Sequence, residues 1–211
     1  GDEDAVVFAR EGQVLARYVF AAALRPGGAA AIDALKQSGF QVEIISGDHA
    51  APVERLAREL NLPSRARVTP RDKVDHVGQR AAEGAKVLMV GDGLNDAPAL
   101  MAAHVSMAPA SAADVGRNAA DFVFLRPSLM AVPEAIETAR RAQIVECAIE
   151  VIAELGFAQA SLAQIAKRAK VSTGVILYYF ATKDDLIREV GAHVFKAGEE
   201  FVRPRVDIHQ D

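Results

Sequence analysis

Short apolar runs alternate with longer amphipathic segments over the first 125 residues of the chain. Residues 40–46 and 86–92 have the length of strands, and the second run is apolar almost throughout, which is typical of a strand buried on both faces. Residues 28–37, 51–60 and 72–84 carry the signals of helices that end near glycine or polar residues. This alternation predicts a doubly wound, parallel α/β sheet.

Four shorter strands complete the pattern of this part. Residues 5–9 and 14–20 flank a polar turn at 10–13, so they predict a hairpin. Residues 105–107 and 121–125 are further short apolar runs.

After residue 127 the pattern contains only helical segments, and its apolar stripe changes side. One stripe holds Leu129, Val132, Ile136 and Ala139, and a second, roughly 160° away at about 100° per residue, holds Val145, Ala148, Ile149, Ile152 and Leu155. Two opposed stripes predict two cores. We therefore predict a domain boundary at 139–144, with one domain over 1–140 and another over 141–211.

Composition leaves the function open. The 211 residues are enough for one sizeable or two small domains, and the net charge of −4 does not indicate a nucleic acid or membrane partner. The single cysteine, Cys147, excludes an internal disulfide. No apolar run approaches the roughly 20 residues of a membrane span, so we expect a cytoplasmic chain without membrane insertion.

Three polar groups follow predicted strands or open a predicted helix: Ser46, Gly47 and Asp48; Thr69 to Lys73; and Asp92, Asn95 and Asp96. In parallel sheets ligands gather at the carboxyl ends of the strands, so these groups can converge. A hydroxyl and a lysine suit a transferring phosphoryl group, and paired carboxylates suit Mg²⁺. The pattern indicates phosphoryl-transfer chemistry. His49, His76 and His104 have no metal-ligand spacing, and we expect them at the surface or in loops.

The runs SGD, TPRDK and MVGDGLNDAPAL resemble the phosphorylation domain of heavy-metal-transporting P-type ATPases, a domain of the haloacid dehalogenase-like (HAD-like) superfamily. The resemblance covers about residues 5–142. It implies that Asp92 ligates Mg²⁺ with support from Asn95 and Asp96. It also implies that Ser46, with Gly47 and Asp48 beside it, and Lys73 hold a phosphate.

The chain departs from that family at the motif that carries the phosphorylated aspartate. The D-K-T-G-T run, which carries the phosphorylated aspartate, does not occur, and the early acids Asp2, Glu3 and Asp4 precede a strand. Ala22 stands near the position of a usual acid. The absent motif strand would lie between the strands that end at Ser46 and Asp92. We therefore expect a partial sheet and no ATPase turnover.

A helix-turn-helix is predicted in the last third of the chain. Residues 143–155 form a helix that ends at Gly156, and Ser161 caps a short helix over 162–168 with Gln164 three residues on. After a tight turn, a second short helix runs from Thr173 to Tyr179.

This part resembles the DNA-binding domain of TetR-family regulators over about 141–190, through the run SLAQIAKRAKVSTGVILYYFATKDDL. The resemblance implies DNA contacts for Ser161, Thr173, Tyr178, Tyr179 and Lys183. Leu177 stands where a tyrosine is common, and Phe180 is expected in the core. Residues 140–183 carry a net charge of +3. The family's domain for dimerisation and inducer binding is absent from this sequence, so we expect weak DNA binding, and a dimer remains possible.

Two partial signatures in one chain indicate a composite: a P-type ATPase phosphorylation-domain fragment followed by a TetR-like helix-turn-helix module. The expected partners are DNA and a phosphate or nucleotide, with Mg²⁺ as a weakly held ion. Two alternatives stay open. The chain is a fragment of an ATP-driven heavy-metal (copper-type) cation transporter, or it is a HAD-like phosphatase.

Overall fold

The chain packs into two compact units, Gly1–Pro133 (unit 1) and Glu134–Asp211 (unit 2), in a computed structural model that describes residues 5–19 and 24–206. The expectations on Asp2, Glu3, Asp4 and Ala22 lie outside the described residues.

Unit 1 alternates strands and helices. Its elements are β1 (Ala5–Arg10), β2 (Gln13–Val19), α1 (Gly28–Gln37), β3 (Ile44–Ile45), α2 (Ala50–Leu60), β4 (Ser64–Arg65), α3 (Pro70–Ala82), β5 (Leu88–Val90), a 3-10 turn (Leu94–Asp96), α4 (Ala97–Ala102), β6 (Val105–Pro109), α5 (Asp114–Ala119) and β7 (Phe122–Phe124). Strand β4 and helices α4 and α5 were not predicted from the sequence, because each is too short to develop a periodic pattern.

The strands of unit 1 form one hairpin and two parallel sheets. β1 and β2 pair antiparallel, as predicted. β3 pairs with β4 in parallel, and β5, β6 and β7 form a three-stranded parallel sheet in that order. The predicted partial HAD-like α/β fold with parallel strands is confirmed.

The prediction of a strand over 86–92 buried on both faces is wrong. β5 covers only Leu88–Val90, and Val90 is 36% exposed. β5 lies at the edge of its sheet, with β6 as its neighbour on one side, so its other side lacks the cover that a central strand receives. β3 is likewise an edge strand of its own sheet.

Helix α3 covers Pro70–Ala82, so it begins two residues before the predicted start at 72 and ends two residues before the predicted end at 84. Thr69 caps it by accepting a hydrogen bond from the backbone of Asp72, and the Asp72 carboxylate accepts one from the backbone of Thr69. Pro70 occupies the first turn, where its missing N–H costs nothing. α3 packs against α4, with Val77 and Leu100 buried.

Helix α6 begins at Ala131, in the last residues of unit 1, and ends at Leu155, within unit 2. The other described elements of unit 2 are the helices α7 (Leu162–Ala169), α8 (Thr173–Tyr179) and α9 (Lys183–Val206). α6 is continuous across the predicted boundary at 139–144, which stays a prediction. The core is formed by Ile144, Val145, Ala148, Val151, Ala160, Ile165, Ala166, Ala169, Ile176, Phe180 and Leu186. The core position expected for Phe180 is therefore confirmed.

The turn between α7 and α8 has the geometry that its sequence predicts. Ser161 and Gln164 form the expected capping box at the start of α7. Lys170 ends α7 in the left-handed region, with φ of 55°, and Ser172 caps α8 through the backbone N–H of Val175. Among residues 5–19 and 24–206, no helix combines the length and the apolar character that a bilayer crossing requires.

We predict that the start of α9 makes unit 2 sensitive to acid. The Asp185 carboxylate accepts hydrogen bonds from the hydroxyl and the backbone of Thr182 at 2.8 and 3.1 Å, and these bonds lower the pKa of Asp185. A lowered pKa gives stability that is present above the ordinary aspartate pKa of about 4 and is lost as pH falls through the lowered value. Asp185→Asn should reduce the stability of unit 2 at neutral pH, and the difference from the parent should shrink as pH falls.

Urea unfolding followed by tyrosine fluorescence measures this effect in a Tyr18→Phe background, which leaves Tyr178 and Tyr179 as the tyrosines. The exposed neighbour Asp184 provides the matched control, Asp184→Asn. An equal loss in both variants, or a difference that stays constant with pH, would contradict the role given to Asp185.

Candidate functional site

The polar turn after β5 is held from within by Asp96. Its Oδ2 atom accepts a hydrogen bond from the backbone N–H of Gly93 at 3.0 Å. A Cβ atom at position 91 would come within 2.7 Å of the Asp96 Cβ atom, so only glycine at 91 lets the chain pass this close. Asp96 thus shapes the turn that bears Asp92 and the exposed Asn95.

The second oxygen of Asp96 binds Lys73. The Lys73 Nζ atom lies 2.6 Å from Asp96 Oδ1, and the two side chains are only 8% and 14% exposed. Lys73 stands in the first turn of α3, where Thr69 fixes the start of the helix. The sequence placed both residues at one site, and the structure joins them directly.

Asp92 pairs with an arginine that the sequence did not suggest. Arg25 Nη2 donates to Asp92 Oδ2 at 2.6 Å, and Arg25 Nη1 donates to the Ser111 hydroxyl at 3.2 Å. Arg25 lies 67 residues before Asp92, in the segment that enters α1, where no local pattern points to a carboxylate partner.

Ser46 and Asp48 hydrogen-bond to each other. The Ser46 hydroxyl donates to Asp48 Oδ2 at 3.1 Å and accepts from the Asp48 backbone at 3.2 Å. The Ser46 carbonyl accepts from the backbone of Val68, directly before the cap of α3. Gly47 allows this approach, since a Cβ atom there would lie 3.3 Å from the Val68 carbonyl oxygen. The two candidate phosphate-binding segments, 46–48 and 69–73, are thus neighbours.

The prediction that His76 lies at the surface or in a loop is wrong. His76 is 8% exposed, and its Nε2 atom lies 2.5 Å from Glu43 Oε1. His76 follows Lys73 by almost one helical turn, so α3 presents both side chains to partners on the inner side of the unit. Periodicity alone did not reveal this burial, because a lone polar residue on a helix is usually solvated.

The residues of the turn do not form a Mg²⁺ ligand set in this arrangement. Mg²⁺ requires octahedral oxygen ligands, usually one or two carboxylates with waters and phosphate oxygens. Both Asp96 oxygens are engaged, and one Asp92 oxygen is bonded to Arg25. Across 5–19 and 24–206, no three His, Cys, Asp or Glu side chains come together as metal ligands. The assignment of Asp92, Asn95 and Asp96 to Mg²⁺ stays a prediction.

In unit 2, helix α8 turns one face to the core and another to solvent. Ile176 is buried, whereas Leu177 and Tyr178 are 46% and 74% exposed. Thr173 and Gly174 are exposed one turn earlier, so these four residues form one outer face of the helix. We call this set, Thr173, Gly174, Leu177 and Tyr178, the outer face of α8.

The other predicted DNA contacts differ in how available they are. Ser161 is exposed, but its hydroxyl is occupied by the capping box. Tyr179 is half-buried and meets the Tyr178 ring edge-on at 5.0 Å, and burial raises its pKa. Lys183 donates to the Ala160 carbonyl at 2.5 Å, which ties the start of α9 to the segment before α7.

The positive charge of this region is partly neutralised. Arg168 binds both Glu154 and Glu150, and these hydrogen bonds raise its pKa further. Arg141 pairs with Glu189 at 2.9 Å. Lys167 and Lys170 are exposed beside the turn of the helix-turn-helix.

We predict that Lys73→Met destabilises unit 1 by about 3 kcal/mol, because it leaves the Asp96 charge largely buried without its partner. The free energy of local opening, measured by hydrogen exchange of amides in α3 and α4, tests this. Arg71→Met is the matched control, since the Arg71 side chain is 90% exposed and lies 4.0 Å from Asp75. It should change the same quantity by less than about 0.5 kcal/mol. Similar losses in the two variants would show that the Lys73–Asp96 pair does not have this role.

Comparison with known proteins supports both resemblances. The sequence profile of haloacid dehalogenase-like hydrolases matches residues 1–104. The chain is 51% identical over 137 residues to nitrogen fixation protein FixI of Rhizobium leguminosarum bv. viciae, a match that covers 64% of this chain and 18% of FixI. It is 36% identical over 139 residues to cation-transporting P-type ATPase B of Mycobacterium tuberculosis (strain ATCC 25618 / H37Rv), covering 65% and 18% respectively. The chain thus spans under a fifth of the length of either relative.

A solved structure agrees with this comparison. The catalytic domain of the CPx-ATPase CopB-B superposes with a TM-score of 0.54 at 33% identity, over 59% of this chain and 50% of that one.

The profile of bacterial regulatory proteins of the tetR family matches residues 144–190. The chain therefore joins a HAD-like part, similar to the phosphorylation domain of P-type ATPases, to a part similar to the DNA-binding domain of TetR-family regulators.

Proposed function

We propose that unit 2 binds double-stranded DNA through the outer face of α8. The observation that carries this proposal is the exposure of Leu177 and Tyr178 on the second helix of a helix-turn-helix whose other face places Ile176 in the core of unit 2. Large side chains that remain exposed together on such a helix are suited to the major groove, where hydroxyls meet base edges and apolar groups meet thymine methyls.

The charged residues around the outer face of α8 support a modest affinity of unit 2 for DNA. Lys167 and Lys170 supply positive charge beside the turn, while Arg168 is committed to two glutamates. Two or three phosphate contacts correspond to a log–log salt slope of about −2 to −3. A single helix-turn-helix reads one half-site, so binding by one copy of the chain is weak.

The experiment compares two exposed aromatic residues of unit 2. Tyr178→Ala should weaken binding of the tightest duplex selected from a random-sequence pool about tenfold at low salt, because it removes a base-edge contact worth roughly 1–3 kcal/mol. Fluorescence anisotropy of a labelled duplex measures this. Phe195→Ala, at an 80% exposed position on α9, is the control and should bind like the parent chain. Binding that is absent at low salt, independent of salt, or equal in the two variants would refute the proposal.

For unit 1 we propose a non-catalytic role in this chain. The 211 residues contain no D-K-T-G-T run, so there is no aspartate in the position that the resemblance assigns to phosphorylation. We therefore interpret the loop around Asp92 as a sign of common ancestry with P-type ATPases and not as a working site.

The alternative, that this part belongs to an ATP-driven cation transporter, is favoured by the identity to cation-transporting P-type ATPase B. In that setting Ser46 and Lys73 would hold phosphate and Asp92 would hold Mg²⁺.

We expect no phosphoenzyme when the chain is incubated with Mg²⁺ and γ-labelled ATP, because the nucleophile is missing. The measurement is acid-stable label on the protein after gel electrophoresis. Label that is abolished by Asp92→Asn would overturn the proposal in favour of the transporter fragment. Hydrolysis of a generic phosphate ester, abolished by the same substitution, would instead support a HAD-like phosphatase.

A further inference from the structure

The two carboxylates of the polar turn are both matched by cations that belong to the chain. Asp96 binds Lys73 at 2.6 Å, and Asp92 binds Arg25 at 2.6 Å. Two negative and two positive side chains therefore neutralise one another in pairs. A divalent cation at this turn would add charge to a cluster that is already balanced.

The two pairs differ in how readily they can open. Lys73 and Asp96 are 8% and 14% exposed, so separating them would leave charges in a poorly solvated place. Arg25 and Asp92 are 33% and 54% exposed, so water can solvate both after separation. Exchange with an external cation is therefore confined to the Arg25–Asp92 pair.

Arg25 is held in position by a second contact. Its Nη1 atom donates to the Ser111 hydroxyl at 3.2 Å while Nη2 donates to Asp92, so one planar guanidinium bridges two segments. This fork fixes the arginine against the carboxylate edge. While Arg25 is bonded to Oδ2, a hydrated Mg²⁺ ion can approach only the other oxygen of Asp92, next to a positively charged guanidinium. Full access of the ion to the carboxylate therefore requires that the arginine move away.

We propose that Arg25 is a built-in counter-cation that competes with divalent cations for Asp92. Binding of a divalent cation at Asp92 requires release of Arg25, and Ser111 opposes that release. The polar turn consequently keeps its structure without a metal ion.

The experiment measures direct binding of Mn²⁺, used as the probe for a divalent cation, by the loss of its free-ion signal in electron paramagnetic resonance. Arg25→Gln should bind Mn²⁺ about fivefold more tightly than the parent chain, because an exposed ion pair no longer opposes the cation. The double variant Arg25→Gln/Asp92→Asn should lose this gain. Arg117→Gln is the matched control, since Arg117 is an exposed arginine paired with the exposed Asp114 in the same unit.

A second variant covers the case in which Arg25→Gln perturbs the fold. Ser111→Ala removes only the contact at Nη1, so it should raise Mn²⁺ affinity by a smaller factor, about twofold, with the fold intact by circular dichroism. The proposal is overturned if neither variant binds Mn²⁺ more tightly than the parent. It is also overturned if the gain in Arg25→Gln survives Asp92→Asn, or if Arg117→Gln shows the same gain.

Discussion

The largely buried ion pair between Lys73 and Asp96 fixes the corner of unit 1 on which its candidate site depends. Lys73 lies in the capped first turn of α3, and Asp96 lies in the 3-10 turn after β5. The same carboxylate holds the Gly93 backbone, and Gly91 gives it room. Because neither charge is well solvated, each requires the other, and the pair joins α3 to the turn.

This corner explains how the turn can keep its shape although the sheet beside it is incomplete. β3 and β5 are edge strands of separate sheets, so among residues 5–19 and 24–206 no strand pairs with both of them beside the site. Asp96 holds the turn by its bonds to Lys73 and to the Gly93 backbone, and Arg25 adds a bond to Asp92. Backbone bonds also join Gly91 to Met107 and Asp92 to Ala113. Unit 2 differs, because its helices enclose a core of their own around Ile176 and Phe180.

The parts of the structure that follow from local sequence were predictable. The parallel α/β class, the helix-turn-helix, the capping box at Ser161 and the buried Phe180 all rest on patterns within a few residues. The burial of 86–92 was not predictable in the same way, because an apolar run does not reveal which strands cover it. His76 was missed since its partner, Glu43, lies 33 residues away.

The sequence by itself indicated the β1–β2 hairpin, the longer helices and the helix-turn-helix, placed the start of α7, and showed which two families the parts resemble. Only the tertiary structure decided how the charges are paired. In the folded chain Asp92 pairs with Arg25, 67 residues away, and Lys183 donates a hydrogen bond to the Ala160 carbonyl. Tyr178 is exposed on the outer face of α8. The physical reason is that caps and periodicity are set by bonds within one or two turns. The partner of a charge, in contrast, depends on packing between distant segments.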